Sequence, residues 1–510
     1  MSKELYTREE VRELDRVAIE DYKIPGISLM ERAGEAAFTV IKNKWPSVKK
    51  LIIFCGVGNN GGDGYIVAKL AIEADYEVIV YQLGDINKLK GDALLAYKQA
   101  SSKGILPIEW DEVSSSKFNN NFLCDDFNSS AIHSTVIVDA ICGTGLNAKL
   151  TGLWLIAVEA INNAKISVLS IDIPTGLDAN TGVPLGEAVY STVTVTFIGQ
   201  KQGMYTGKAC DYCGEIIFSS LDIPIEVYGH VKYKVIKQSL KDLHNCLPKR
   251  KASYNKCDLG KVLVIGGGPG MGGAVRMAAE AALRTGAGLV YVITHPSHAN
   301  YISMARPELI CYGVDNNNIV EVLDEILIKD PIILLGPGLG KLTWSKNIFQ
   351  TILDLDYKFP MVVDADGLNL LAQNPIKLVN CILTPHPGEA ARLLNIKISD
   401  IEQDRFKTIT KLKEKFASTV VLKGAGSLVT YQDKIGICCL GNASMATAGM
   451  GDILAGIIAG LLAQKLNCED AAACGVCLHS SIGDLVSKQG KYGIIATDLL
   501  AKLPGFELRV

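Results

Sequence analysis

Short apolar runs alternating with stretches of helical spacing set the pattern of this chain. LIIFC, EVIVYQL, TVIVDA, ISVLSIDI and VTVTFI fall between Leu51 and Ile198, and helices are predicted between several of them. Ahead of them, residues 7 to 43 place Val11, Leu14 and Ala18, then Leu29, Met30, Ala33 and Ala36, on helix faces. Continuously apolar strands separated by helices predict a Rossmann-like, doubly wound sheet that is parallel or mostly parallel. From Leu221 to about Tyr254 the pattern weakens, so a boundary is expected there, with one domain over 1–225 and another over 233–510. The second domain has its own strands, KVLVIGG, LVYVI, IILLG, MVVDA, CILTP and TVVLKG, and helices such as AVRMAAEAALRTGAG, IVEVLDEILI and ISDIEQDRFKTITKLKEKF. It ends in TAGMGDILAGIIAGLLAQ and a helix near Glu469 to Lys488, and shows no obvious repeat of the first. The fold class is α/β, in two domains.

Composition narrows the function classes. The chain has 510 residues, 48% of them hydrophobic and 21% charged, which describes a globular protein too long for one ordinary core. A formal net charge of −3 offers no general attraction to nucleic acid or to anionic membrane. The N-terminus, MSKELYTREEVRELDR, is charged where a signal peptide is apolar, and no run is long enough to span a bilayer. A cytoplasmic protein acting on small molecules, as a homo-oligomer, is expected. Most of the 14 cysteines sit in strand-like runs, as Cys55, Cys142 and Cys381 do, and read as reduced core residues. The Cys-x-x-Cys pairs Cys210/Cys213 and Cys474/Cys477 lie far apart without partners at zinc spacing.

The first glycine-rich turn, Gly56 to Gly64, follows a strand and precedes a helix. It matches G-x-G-x-x-G, with Asp85 at a later strand end, so a dehydrogenase is a fair first reading. Its extra polar residues, Asn59, Asn60 and Asp63, exceed what a pyrophosphate turn needs. Further strand ends offer Asp139 in VDAICGTGL, and Asp172 and Thr175 in SIDIPTGLD. Such ends converge on one crevice of a doubly wound sheet, where Asn60, Asp139, Asp172 and Thr175 together would suit a hard cation. Each residue alone is also an ordinary turn former.

In the second half, Gly449 and Gly451 lead into a buried helix with Asp452 in its first turn. Unpaired N–H groups at a helix start make an anion cradle, and a carboxylate beside it can take the proton of a hydroxyl attacking a phosphoryl group. Acidic residues also favour first turns as plain caps. GPGLG, DADGLN, TPHPGE and the turn Lys423 to Ser427 lie at other strand ends and complete a rim, the last able to hold a phosphate or ribose.

These motifs, in this order, carry a resemblance. GVGNNGGDG, VDAICGTGL and SIDIPTGLD resemble the NAD(P)H-hydrate epimerase family. GGGPGMGGA, GPGLG, DADGLN, TPHPGE, LKGAGS and AGMGD resemble the ADP- or ATP-dependent NAD(P)H-hydrate dehydratases of ribokinase-like fold. Together they resemble bifunctional repair enzymes over nearly the whole chain. The resemblance implies that Asn59, Asn60, Gly61, Gly62 and Asp63, with Gly143, Thr144, Gly145, Leu146, Asn147, Ala148 and Lys149, hold the hydrated dinucleotide. Asp172 would contact its reacting part and act as an acid–base group, and Asn60, Asp139 and Thr175 would bind potassium. In the second domain Ala274, Gly338, His386 and Asp452 would contact the hydrate. Lys423, Gly424, Ala425, Gly426, Ser427 and Gly451 would hold ADP or ATP, used with magnesium. One departure stands out: Asn255-Lys256-Cys257 occupies the place where such dehydratases commonly read His-Lys-Gly. The alternatives are a ribokinase-like vitamin or sugar kinase fused to a non-catalytic domain for NAD-like ligands, and a purely binding first domain.

Overall fold

The computed structural model describes residues 3–122, 134–243, 246, 250–355, 359–488, 490 and 492–505. The chain forms two compact units, Met1–Val235 and Ile236–Val510. Part of the weakly patterned join, residues 244–245 and 247–249, lies outside the described residues. No described helix is long and apolar enough to cross a membrane.

In the first unit the strands are β1 (Glu4–Tyr6), β2 (Lys50–Cys55), β3 (Glu77–Gln82), β4 (Ile108–Glu109), β5 (Thr135–Ala140), β6 (Ser167–Ile171), β7 (Val193–Phe197), β8 (Gln200–Lys201) and β9 (Glu215–Ser219). Seven of them form one sheet in the order β4-β3-β2-β5-β6-β7-β9, every neighbour parallel. β2 shows why the sequence is apolar without alternation. Leu51, Ile53 and Cys55 enter a core against the helices Gly26–Lys44 and Asn59–Glu73, while Ile52 and Phe54 enter another against the helix Gly152–Asn163. The chain leaves β2 toward β3 and β4, then returns to β5 on the other side. That reversal between β2 and β5 is the switch point at which a doubly wound sheet leaves its crevice. One expectation needs correcting here. The glycine-rich segment is not a turn throughout, because the helix begins at Asn59. A Cβ on Gly61 would lie 2.0 Å from the Gly56 carbonyl oxygen, so glycine lets this first turn press back on the strand end.

A short strand, β10 (Val235–Gln238), lies at the division of the two units. The second unit holds β11 (Lys261–Ile265), β12 (Leu289–Thr294), β13 (Ile310–Gly313), β14 (Ile332–Leu335), β15 (Met361–Val363), β16 (Cys381–Leu383), β17 (Thr419–Leu422), β18 (Ser427–Tyr431) and β19 (Lys434–Cys438). Their order is β13-β12-β11-β14-β15-β16-β17-β18-β19, parallel up to β17 and antiparallel beyond it. The switch point falls between β11 and β14. The β17-β18-β19 meander was not legible from periodicity, since its strands are short and one begins inside the Lys423 to Ser427 turn. ISDIEQDRFKTITKLKEKF is two helices, Ile398–Gln403 and Arg405–Phe416, rather than one. Asp404 is extended between them (φ −154°) and accepts a capping bond from the Lys407 N–H at 2.8 Å.

The helix Met450–Ala463 is apolar nearly all round because it is buried against the helix Gly272–Thr285. Close approach explains its inner glycines: a Cβ on Gly456 would meet the Ala278 carbonyl oxygen at 2.2 Å. This packing fixes the start of the helix, and with it Asp452, over the carboxyl ends of the strands.

Candidate active sites

A cleft of about 550 Å³ opens at the first switch point, with Asn59, Asn60, Asp63, Gly143, Thr144 and Asp172 among its walls. Gly145, Leu146 and Asn147 also line it. Gly61 and Gly62 lie buried behind, and Lys149 packs its side chain toward Gly186. Asp172 is held in the left-handed region (φ 69°), where aspartate is among the better tolerated residues. Its carboxylate pairs with the Lys201 ammonium and accepts the Thr144 N–H at 3.2 Å. Lys201 is fully buried and also donates to Thr196 Oγ1 at 2.9 Å and to the Phe197 carbonyl at 3.3 Å, so three acceptors surround its three protons. Asp15, Asp63 and Asp92 also line the cleft, the first two interacting with Asp172. Burial pushes Asp63 well above the usual carboxylate range, with Asp172 and Asp15 adding to the rise. Asp15, on the helix Arg8–Arg16, is likewise lifted by burial, to about 6, against the pull of Lys201.

The residues proposed for a cation lie just beneath. Asp139 is fully buried and accepts from the Thr175 N–H at 2.9 Å, Thr175 Oγ1 at 2.7 Å and Ser170 Oγ at 2.7 Å. Burial raises its carboxyl while these bonds oppose the rise. Thr175 Oγ1 in turn accepts the Cys142 N–H at 2.9 Å. Asn60 is 8% exposed, and neither its amide oxygen nor its amide nitrogen has a hydrogen-bond partner among the described residues. A buried amide without a partner is costly and points to a ligand. No described cluster of three or more His, Cys, Asp or Glu could hold a metal. Amide, hydroxyl and carboxylate oxygens are the donors present, and they suit a hard cation such as potassium.

At the second switch point the loop after β11 meets the loop after β14, the Gly268 N–H donating to the Gly338 carbonyl at 2.8 Å. Gly338 (φ 58°) would put a Cβ 2.9 Å from that of Ala274, so these two expected contacts are adjacent. Next to them the Gly340 N–H donates to Asp366 Oδ2 at 2.8 Å. Ala365, between Asp364 and Asp366, takes φ 50° and ψ −119°, a conformation costly for alanine and of the kind kept at functional sites.

Lys423 anchors the centre. Its Nζ lies 2.8 Å from Asp364 Oδ1 and 3.8 Å from Glu389 Oε2, and Thr384 Oγ1 donates to the same Asp364 oxygen at 2.8 Å. The start of the Met450–Ala463 helix faces this pair. A Cβ on Gly451 would come within 3.2 Å of Lys423 Nζ, so glycine keeps the space over the ammonium open. Asp452 is half-buried in that first turn. Its carboxylate accepts no hydrogen bond from any described residue, and the N-cap position is Gly449, so it is not acting as a cap. Burial lifts Asp452 to about 7, with Asp364 adding and Lys423 opposing. Glu389 is raised to about 7 by the same causes.

His386 caps the helix Pro387–Leu394, Nδ1 accepting the Gly388 N–H at 3.0 Å, and its half-exposed ring keeps Nε2 toward the site. Burial, then Lys423 and Arg392, lower it from the usual histidine value, with Asp364 opposing. In the Lys423 to Ser427 loop Ser427 Oγ donates to the Gly424 carbonyl at 2.9 Å, and buried Arg405 holds the Lys423 carbonyl at 3.2 Å. Asn255-Lys256-Cys257 lies at the amino end of β11, away from these residues, with the Lys256 carbonyl against Gly288. A second concavity of about 660 Å³ shares that far end, bordered by Lys261, Ile332, Cys381 and Thr419. The chemistry gathers instead at the carboxyl ends, as the switch-point rule requires.

Sequence reasoning missed Lys201 and Asp15. Neither belongs to a glycine-rich motif, and Asp15 reads as one more charge on an amphipathic helix.

Comparison with known proteins finds relatives for both parts of the chain. A family model described as YjeF-related protein N-terminus matches residues 26–203, and one described as NAD(P)H-hydrate dehydratase matches residues 262–505. The bifunctional NAD(P)H-hydrate repair enzyme Nnr of Coxiella burnetii is 42% identical, with 98% of each chain covered. The enzyme of the same description from Escherichia coli is 37% identical, covering 97% of this chain and 92% of that one. A solved ribokinase-like superfamily protein from Enterococcus faecalis is 30% identical over 53% of this chain and 95% of its own, with a TM-score of 0.49. Similarity of this strength over nearly the full length of both chains identifies the family, and the chain belongs to the bifunctional NAD(P)H-hydrate repair enzymes.

Proposed function

We propose that this protein restores NADH and NADPH that have taken up water across a ring double bond. Residues 1–225 interconvert the R and S epimers of the hydrate, and residues 233–510 dehydrate the S epimer at the expense of ADP or ATP, releasing AMP or ADP and phosphate. The observation that carries the reading is Asp452, uncapped and half-buried, at the head of a helix whose Gly451 faces the Lys423–Asp364 pair. Hydroxide is a poor leaving group, so dehydration gains from turning it into phosphate. Asp452 takes the proton of the C6 hydroxyl as its oxygen attacks the terminal phosphoryl group. Lys423 and the N–H groups of the helix start stabilise the charge on that group. The ring nitrogen's lone pair then expels phosphate to give N1=C6, and loss of a proton from C5 returns that electron pair to the ring and restores the C5=C6 double bond of the dihydropyridine. Magnesium bound with the nucleotide would neutralise further phosphate charge, with Asp364 and Glu389 the carboxylates placed to hold it. His386, Ala274 and Gly338 would position the ring, and Lys423 to Ser427 the nucleotide.

In the first unit Asp172 acts at C6, and Asn60, Asp139 and Thr175 would hold potassium, which would order the surrounding loops. The free cysteines among the described residues accord with a reducing, cytoplasmic setting. Purified protein given mixed NADH hydrate epimers, magnesium and either nucleotide should restore the absorbance of NADH from both epimers. If neither is consumed while a vitamin or sugar alcohol is phosphorylated, the kinase alternative holds instead.

The division of labour has its own test. Each half has its own set of parallel strands and its own core, so a chain cut near residue 230 should yield two soluble fragments with cooperative thermal transitions. Two insoluble fragments, each recovered only in the presence of the other, would contradict it.

A further inference from the structure

Asp15 lines the same cleft as Asp172 but comes from a different element. Its helix is tied to the loops that form the site. The Arg8 N–H donates to Asn180 Oδ1 at 2.7 Å, Arg8 Nη1 donates to the Leu146 carbonyl at 2.7 Å, and Thr7 and Glu10 form a capping box. The helix runs into a π-turn over Val17–Asp21, closed by the Tyr22 N–H on the Val17 carbonyl at 3.1 Å. Such turns are frequent at functional sites. The charged groups that face Asp15 are Lys201 of β8, Asp172 after β6 and Asp63 of the Asn59–Glu73 helix, with Arg12 and Asp92 elsewhere on the wall. Beside them the unpartnered Asn60 amide marks the cleft as a place where a ligand binds.

Resting on the epimerase reading of this unit, we propose that Asp15 is its second catalytic acid–base group, working with Asp172 as a carboxyl pair that passes one proton. A carbon bearing a hydroxyl beside a ring nitrogen can invert by losing water from one face and regaining it on the other. That exchange needs an acid where the hydroxyl leaves and a base where water arrives, the division of labour used by pairs of carboxyls in glycoside hydrolysis. In one direction Asp15 gives its proton to the C6 hydroxyl. The C6–O bond breaks with its electron pair leaving on water, and the N1 lone pair forms N1=C6. Water then attacks the opposite face, its oxygen lone pair making the new C6–O bond while the N1=C6 pair returns to N1. Asp172 takes the released proton. One water is lost, one is gained and nothing is oxidised or reduced; the reverse reaction returns the proton. Once Asp15 has given up its proton, it and Asp172 are two carboxylates against the single buried Lys201, so the cleft favours the cationic intermediate. A carboxyl lifted by burial to about 6 exchanges its proton within reach of neutral pH.

The test uses the full-length protein and the R hydrate of NADH alone, with epimer ratios followed by chromatography. Asp15→Asn should slow epimerisation about a hundredfold or more, while nucleotide-dependent dehydration of the S epimer continues in the same preparation. The parent's kcat/KM should fall above about pH 6, and that limb should be missing from the residual activity of the variant. Asp15→Glu should recover part of the rate. Oxygen from labelled water should enter the C6 hydroxyl at each turnover of the parent, a result that does not depend on how any variant folds. Full activity in Asp15→Asn, or a slow variant with the parent's pH profile, assigns Asp15 to helix packing and overturns the proposal. Retention of the original oxygen overturns the water-exchange step. A parent that does not interconvert the epimers overturns the epimerase reading beneath it.

Discussion

Asp452→Asn should abolish nearly all nucleotide-dependent dehydration, by about a hundred- to ten-thousand-fold, the usual range for loss of a general base. Epimer exchange and the melting temperature should stay at the parent values. The substitution discriminates because asparagine keeps the shape of the side chain and caps a helix about as well as aspartate. A stabilising role at the helix start would therefore survive it. Geometry already weighs against that role, since the Asp452 carboxylate has no hydrogen-bond donor among the described residues while Gly449 occupies the cap. The pH dependence supplies a second readout. A base must be ionised to accept a proton, and burial with the nearby Asp364 lifts Asp452 to about 7. The kcat/KM of dehydration in the parent should therefore fall as pH drops through about 7, with Glu389, raised to a similar value, contributing to the same limb. Dehydration at the parent rate in Asp452→Asn would remove Asp452 from the mechanism.

Why Asp452 was legible and Asp15 was not follows from what a linear sequence encodes. Continuous apolar runs such as LIIFC announce strands covered on both faces, and their alternation with helices gives the doubly wound sheets. The ends of those strands are marked by glycine, because backbone must approach backbone there. Gly61 against the Gly56 carbonyl and Gly451 over Lys423 are two such places. Residues beside these glycines, Asn60, Asp172 and Asp452, could therefore be singled out. Lys201 carries no such mark. It lies on the two-residue strand β8, and only the register of that strand beside β1, with β7 ending a few residues earlier, buries its ammonium beneath Asp172. The antiparallel strands β18 and β19 were hidden for a related reason. Each has five residues, and their pairing is fixed by a tight turn at Gln432 (φ 54°) rather than by any long apolar run.

The roles of individual residues were less legible than their places. Lys423 opens a loop whose glycines suggest a nucleotide cradle, yet its own ammonium turns inward to Asp364 and Glu389. A turn motif fixes where the backbone goes, and the side chain then follows the nearest opposite charge in a low-dielectric setting. Asp139 shows the same effect: four donors, from Ile141, Ser170 and Thr175, surround a carboxylate that sequence alone offers as a free ligand. Its contribution to a cation site would run largely through the Thr175 hydroxyl that it orients.

Asp172→Asn should do the reverse of Asp452→Asn. Dehydration of the S epimer should continue, while the R epimer accumulates because its conversion is slowed about a hundred- to ten-thousand-fold. The structural basis is the pair that Asp172 makes with Lys201, whose remaining protons are taken by Thr196 Oγ1 and the Phe197 carbonyl. An amide in place of the carboxylate leaves a buried ammonium without its counter-charge, and truncating one partner of such a pair commonly costs about 3–5 kcal/mol. Loss of epimerisation therefore needs to be separated from loss of fold. Tryptophan fluorescence reports that fold in a fragment cut near residue 230, chiefly through Trp110, buried in the core against Phe54 of β2 and Tyr81 of β3, with Trp45 and Trp154 packed partly buried against the unit's cores. A variant fragment that melts cooperatively, even at lower temperature, and no longer exchanges the epimers supports a chemical role for Asp172. If it exchanges them at the parent rate, the acid–base assignment fails, and the Lys201–Asp172 pair is a structural feature of the cleft floor.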